Sequence, residues 1–137
     1  MNEVNRAPRK RRVSLTFLIL AATVAVGLPL LKRAAEVPPE DAAQLIQKGA
    51  PLIDVRTPAE FAREAVPGAI NIPMDALAED ITERYPDRRQ PLLVYCAVGG
   101  RSLMAVQTLG GLGYSNVHNL GSLGRARELV ESAQAVR

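Results

Sequence analysis

From residue 38 to residue 137 the chain predicts an α/β domain, a mainly parallel central sheet with helices on both faces, preceded by one transmembrane helix. Three observations carry this. Short runs rich in β-branched residues alternate with segments of helical period after residue 38, the pattern of strands joined by crossover helices. One run, "PLLVY" at 91–95, is apolar throughout, as in a strand buried on both faces. And 19 residues from Val13 to Leu31 pass without a charge, enough for a helix of ~28 Å, near the thickness of a bilayer's hydrocarbon core.

In chain order, "EDAAQLIQKG" places Ala42, Leu45 and Ile46 at helical spacing and stops at Gly49, and "PLIDV" follows as a short strand. "TPAEF" opens a second helix with Thr57 as its N-cap, Pro58 at the first helical position and Glu60 completing a capping box. "VPGAINIP" reads as a turn and a short strand, and "MDALAEDITERY" as a helix halted before Pro86. After "PLLVY" come a loop around Cys96, a helix from about Ser102 to Leu112 ending at Gly113, the strand "NVHNL", and an amphipathic helix near Ala126 to Ala135.

Charge divides the chain. Residues 1–33 hold seven of the 17 Lys and Arg and one of the 14 acids, a net +6 against −3 for the remainder. The run "RKRR" beside an apolar stretch is a topology signal before it is a nucleic-acid patch, and no basic cluster marks the folded part, so no nucleic-acid partner is expected. Five basic residues precede the span and two follow it, which places residues 1–12 in the cytoplasm and the domain across the membrane, periplasmic in a bacterium. The competing reading is a cleaved signal peptide, since Ala25-Val26-Gly27 is a passable site, but secretory apolar regions are shorter. Residues 32–37 begin a linker, "KRAAEVPP", short enough to hold the domain near the membrane, where a membrane protein is a candidate partner.

The chain has one cysteine, which excludes an intramolecular disulfide. A lone cysteine ending a buried strand is ordinarily a small core hydrophobe. The residues after it, "CAVGGRS" (96–102), argue otherwise. Gly99 and Gly100 allow successive N–H groups to turn inward as an anion nest. The loop runs into a helix N-terminus, which favours negative charge, and Arg101 adds a forked donor. A thiol in that field shifts toward thiolate, the nucleophilic form. The candidate catalytic residue is therefore Cys96, with Ala97, Val98, Gly99, Gly100, Arg101 and Ser102 as substrate-binding residues. His118 has no second histidine to join it, so no metal is expected, and no cofactor. Arg56 and Glu60, four residues apart across the strand-to-helix turn, are expected to form a structural ion pair.

"CAVGGRS" resembles the Cys-x-x-Gly-x-Arg-Ser loop of the single-domain rhodaneses, and "LIDVRTPAEF" followed by "VPGAINIP" is similar to that family's amino-terminal signature. The resemblance runs from about Pro39 to Val130. It implies a sulfurtransferase in which Cys96 takes the outer sulfur of a small anionic donor such as thiosulfate and passes it, as a persulfide, to cyanide or a thiol acceptor. Related phosphatases have five residues between cysteine and arginine; here there are four. Two departures stand out: Glu64, Ala65 and Val66 replace a common Gly-His-Ile, and "GSLGRA" (121–126) replaces a frequent Gly-Gly-x-x-x-Trp. The alternative is a module that holds a persulfide or a partner's anionic group without turnover.

Overall fold

The structure, a computed structural model, describes residues 35–136. The segments 1–12 and 13–31, read above as tail and membrane span, lie outside the described residues. Among the described residues no helix is long and apolar enough to cross a membrane.

Among the described residues nine elements follow one another: α1 (Pro39–Gln47), β1 (Leu52–Asp54), α2 (Pro58–Arg63), β2 (Ile70–Asn71), α3 (Leu77–Arg84), β3 (Leu92–Cys96), α4 (Gly100–Gly111), β4 (Val117–Ser122) and α5 (Leu123–Ala135). The strands form one sheet in the order β2-β1-β3-β4, and every pairing is parallel. Parallel neighbours need crossovers, and the helices supply them on both faces.

β3 divides the core. Side chains alternate across a strand, so Leu92, Val94 and Cys96 join one cluster with Leu77 and Ile81 of α3 and Ala105 and Leu109 of α4. Leu93 and Tyr95 enter the other, with Ala42 of α1 and Ala126, Leu129 and Val130 of α5. All five β3 residues are fully buried, and each large apolar side chain removed from water contributes ~1.5–3 kcal/mol. The strand that delivers Cys96 is thus the most firmly held part of the sheet.

Element boundaries moved where long-range pairing extends a local pattern. β4 continues two residues past "NVHNL", through Gly121 and Ser122, because Tyr95 and Cys96 pair with them. The β3–β4 register slips between Val94, opposite Asn119, and Tyr95, opposite Gly121. This bulge has Gly121 at φ +83° and its N–H bonded to Asn119 Oδ1 at 2.9 Å; bulges of this kind redirect the residues beyond them. α5 begins at Leu123 rather than near Ala126, since the Ser122 side chain accepts from the Arg125 N–H and caps it. Packing also starts within the stretch read as linker. The Val37 N–H donates to the Asn119 carbonyl at 2.9 Å, and Arg125 reaches both Glu36 and the Val37 carbonyl.

Candidate active site

Cys96 is the last residue of β3, at the carboxyl edge of the sheet, where open α/β folds gather ligands. The chain then has to turn from strand to helix within three residues. Gly99 makes this turn at φ +93°, a left-handed conformation costly for any residue with a Cβ. α4 begins at Gly100, two residues earlier than its periodicity suggests, so the helix's free N–H groups come closer to the sulfur.

The Gly99 N–H donates to Cys96 Sγ at 3.0 Å, and the Ser102 hydroxyl lies 3.7 Å from it. Ser102 is itself fully buried and its hydroxyl is placed by the carbonyls of Gly99 (3.1 Å) and Gly121 (3.3 Å). Burial pushes the thiol up. Against it act the N–H and hydroxyl of Ser102 and the N–H groups of Gly99 and Val98; these prevail, and Cys96 lies below the ordinary thiol value. Hydrogen bonds to the charged form are the main cause favouring the thiolate, and the charge of Arg101 adds a smaller attraction.

Of the six residues expected to cradle an anion, Val98, Gly99 and Ser102 direct N–H groups at the sulfur. The Ala97 carbonyl accepts the Leu123 N–H and so ties the loop to the start of α5, and Gly100 opens α4. Arg101 points elsewhere. Its guanidinium grips Glu60 with two bonds, Nη1 to Oε2 at 2.7 Å and Nη2 to Oε1 at 2.8 Å.

The expected Arg56–Glu60 pair does not form. Arg56 is held instead by Asp54, with bonds of 2.6–3.0 Å from its Nε and Nη2 atoms, and by the Glu64 carbonyl at 2.5 Å. The reason is direction: Asp54 sits inside the sheet edge, two residues from Arg56, whereas the capping box turns Glu60 outward, toward α4. That box is present as read, with the Glu60 N–H on Thr57 Oγ1 and the Thr57 N–H on the Glu60 carboxylate. Arg101 first and then Thr57 hold the Glu60 carboxyl well below the usual carboxylate range. Glu60 as the partner of Arg101, 41 residues away, gave no sequence signal beyond its capping role.

The two departures from the family pattern are accommodated differently. At 64–66 the contacts are made by the main chain: the Glu64 carbonyl accepts from Arg56, and the Val66 N–H donates to the Tyr95 hydroxyl at 3.2 Å. Two side chains also take part: the Glu64 carboxylate accepts from Arg127 Nη2 at 2.7 Å, and Val66 is buried in the core with Tyr95. At 121–126 the side chains do new work. The Ser122 side chain caps α5 while its main chain pairs with Val98, and Arg125 fastens residues 36 and 37 to the end of β4.

The model of the rhodanese-like domain matches residues 38–123. The thiosulfate sulfurtransferase PspE of Escherichia coli K12 is 42% identical over 71 residues, 52% of this chain and 68% of that protein. The thiosulfate sulfurtransferase GlpE of Pseudomonas putida F1 is 36% identical over 102 residues, 72% of this chain and 91% of that protein. Among solved structures, the human single-domain sulfurtransferase TSTD1 superposes with a TM-score of 0.57 at 31% identity, covering 71% of this chain and 96% of that one. With its all-parallel sheet, its strand-end cysteine under a glycine turn, and these relatives, the chain belongs to the rhodanese-like family, as an enzyme of the sulfurtransferase type.

Proposed function

We propose that the protein moves sulfane sulfur from a thiosulfate-type donor to cyanide or a thiol acceptor through a persulfide on Cys96. One observation carries this reading: a solitary thiol at a strand end, under three N–H groups and a hydroxyl that favour its thiolate. The thiolate attacks the outer sulfur of thiosulfate. A Cys96 S–S bond forms, the donor's S–S bond breaks, and sulfite leaves with the electron pair. The persulfide keeps the single negative charge, and the same N–H groups that held the thiolate are suited to hold it. Cyanide or a thiolate then takes the outer sulfur and returns the Cys96 thiolate, so charge and atoms balance over the cycle.

Arg101 serves this scheme in a modified form. Bound to Glu60 on one side and about one-third exposed, it lines a cavity of ≈ 230 Å³ with Thr57, Pro73 and Met74. A donor's oxygens meeting it there meet a cation of fixed orientation. The paired guanidinium also anchors the first turn of α4, which holds the N–H groups in place.

The test is mass spectrometry of the intact protein after incubation with thiosulfate. The expected product carries one added sulfur on Cys96, lost on addition of cyanide with release of thiocyanate; Cys96→Ser gives neither. Absence of both in the folded wild type overturns the proposal. A second reading, a relay that receives sulfur only from a partner, is favoured by placement: the linker after the 13–31 span is short enough to hold the domain near a membrane partner. A persulfide that forms from a partner's persulfide but never from thiosulfate would select it.

The membrane placement belongs to the same proposal. The uncharged 13–31 span and its flanking basic residues support a single-pass anchor with the amino terminus cytoplasmic and the domain outside. A reporter at the carboxyl terminus that is active only in the cytoplasm would refute that orientation.

A further inference from the structure

Beside the cysteine loop, at the end of β4, lies an open cavity of ≈ 660 Å³ lined by Glu36, Ser122, Gly124, Arg125 and Glu128. Ser122 connects it to the site, since it pairs with Cys96 in the sheet and bridges Val98 in the loop. Glu36 reaches further. Its carboxylate occupies the space above Gly121, where a Cβ would collide with it, and comes within 3.7 Å of where a Cβ on Gly99 would stand. Gly99 is the residue whose N–H holds the sulfur. A carboxylate thus leans over the very turn that cradles an anion.

The arrangement is built. Arg125 donates from Nη1 to the Leu120 carbonyl at 2.8 Å and from Nη2 to the Val37 carbonyl at 2.5 Å, and its Nε stands 3.3 Å from Glu36 Oε2. All three nitrogens of its guanidinium are therefore engaged in fixing residues 36 and 37. Three of the five N–H groups of Arg125 are thus committed and its charge is set against that of Glu36, while Glu36 keeps one oxygen toward the glycines, and Glu128, exposed on α5, adds a second carboxylate to the wall.

We propose that Glu36 and Glu128 set acceptor specificity, favouring thiols that carry an ammonium group near the sulfur over thiols that carry a carboxylate. This rests on the sulfur-transfer reading above and names the acceptor class for it. The charged side chains of the wall, Glu36, Arg125 and Glu128, sum to one net negative charge, so a positive group in the cavity is favoured and a negative one disfavoured, and loss of either carboxylate removes that bias. Arg125 is a positioning residue: it holds Glu36 in place and offsets part of its charge.

The experiment measures kcat/KM with thiosulfate as fixed donor and three small acceptors, cysteamine (cationic), 2-mercaptoethanol (neutral) and mercaptoacetate (anionic). The readout is the cysteamine-to-mercaptoacetate ratio of each variant relative to wild type, which cancels intrinsic thiol reactivity. Glu36→Gln and Glu128→Gln should each lower that ratio about fivefold, leave 2-mercaptoethanol nearly unchanged, and lose their effect in high salt. A ratio unmoved in both variants overturns the proposal, as does an equal loss for all three acceptors, which would make Glu36 a structural pin. Glu128→Gln lies on an exposed helix surface, so it carries the test alone should Glu36→Gln fail to fold. Failure of the underlying sulfur-transfer reading looks different, because the wild type would then form no persulfide with any acceptor present.

Discussion

Two ion pairs leave the same strand-to-helix turn and do different jobs. Asp54–Arg56 is nearly sealed, with side chains 0% and 5% exposed, and it is joined by the Glu64 carbonyl below and the Tyr95 ring, 5.9 Å from the guanidinium. Glu60–Arg101 is also bidentate, but its side chains are 25% and 36% exposed, and it ties α2 to the first turn of α4. Chemically the pairs are alike. Burial separates them: a sealed charge cannot lose its partner without being stranded, whereas a wet one is rescued by water. The first pair therefore belongs to folding and the second to the site.

The sharpest way to break this contrast is Asp54→Ala. It strands the Arg56 guanidinium in the sheet edge and should cost about 3–5 kcal/mol, read as a lower urea midpoint with unchanged slope. A loss no larger than that of a surface pair would show the corner to be wetter than its geometry. Arg101→Gln should behave in the opposite way. Stability falls by no more than about 1 kcal/mol, while kcat/KM for thiosulfate drops about tenfold or more as the cation and the anchored helix turn are both lost; equal effects on stability and turnover would merge the two pairs into one class.

Tyr95→Phe probes the buried corner more gently. It removes the acceptor of the Val66 N–H and should destabilise by about 1–2 kcal/mol with no change in sulfur transfer. The smallest effect is a dependence on pH. The Glu60 carboxyl titrates lower in the folded protein than in the unfolded chain, so its pairing stabilises fully above the unfolded value, ~4.3, and is lost as pH falls through the folded one. Glu60→Gln should consequently lower stability slightly at neutral pH, where the pairing is intact in the wild type, and converge with the wild type as pH falls, which flattens the acid limb; an unaltered acid limb would mean that solvent screens the pair completely.

Why the site was partly legible follows from the range of the forces involved. The Thr57–Glu60 capping box, the strand ending in Cys96 and the glycine turn are local, written within a few residues, and they appear in the structure as the sequence led one to expect. The helix and strand limits near the site moved by two or three residues because β3–β4 pairing and the Ser122 cap extended them. Arg101 was read as a donor for an anion at the loop, yet its direction toward Glu60 was not visible, since Glu60 lies 41 positions earlier.

Residue order alone determined an α/β chain, the thiol, the backbone able to surround it, and the charge asymmetry of the amino-terminal segment. Only the tertiary structure decided which cation meets which carboxylate, how the register slip brings Ser122 beside Cys96, and that Glu36 leans over Gly99 from the other end of the domain. Backbone geometry is set by each residue and its neighbours, but an ion pair depends on which surfaces the packed helices bring within about 4 Å, and that is fixed only when the sheet closes.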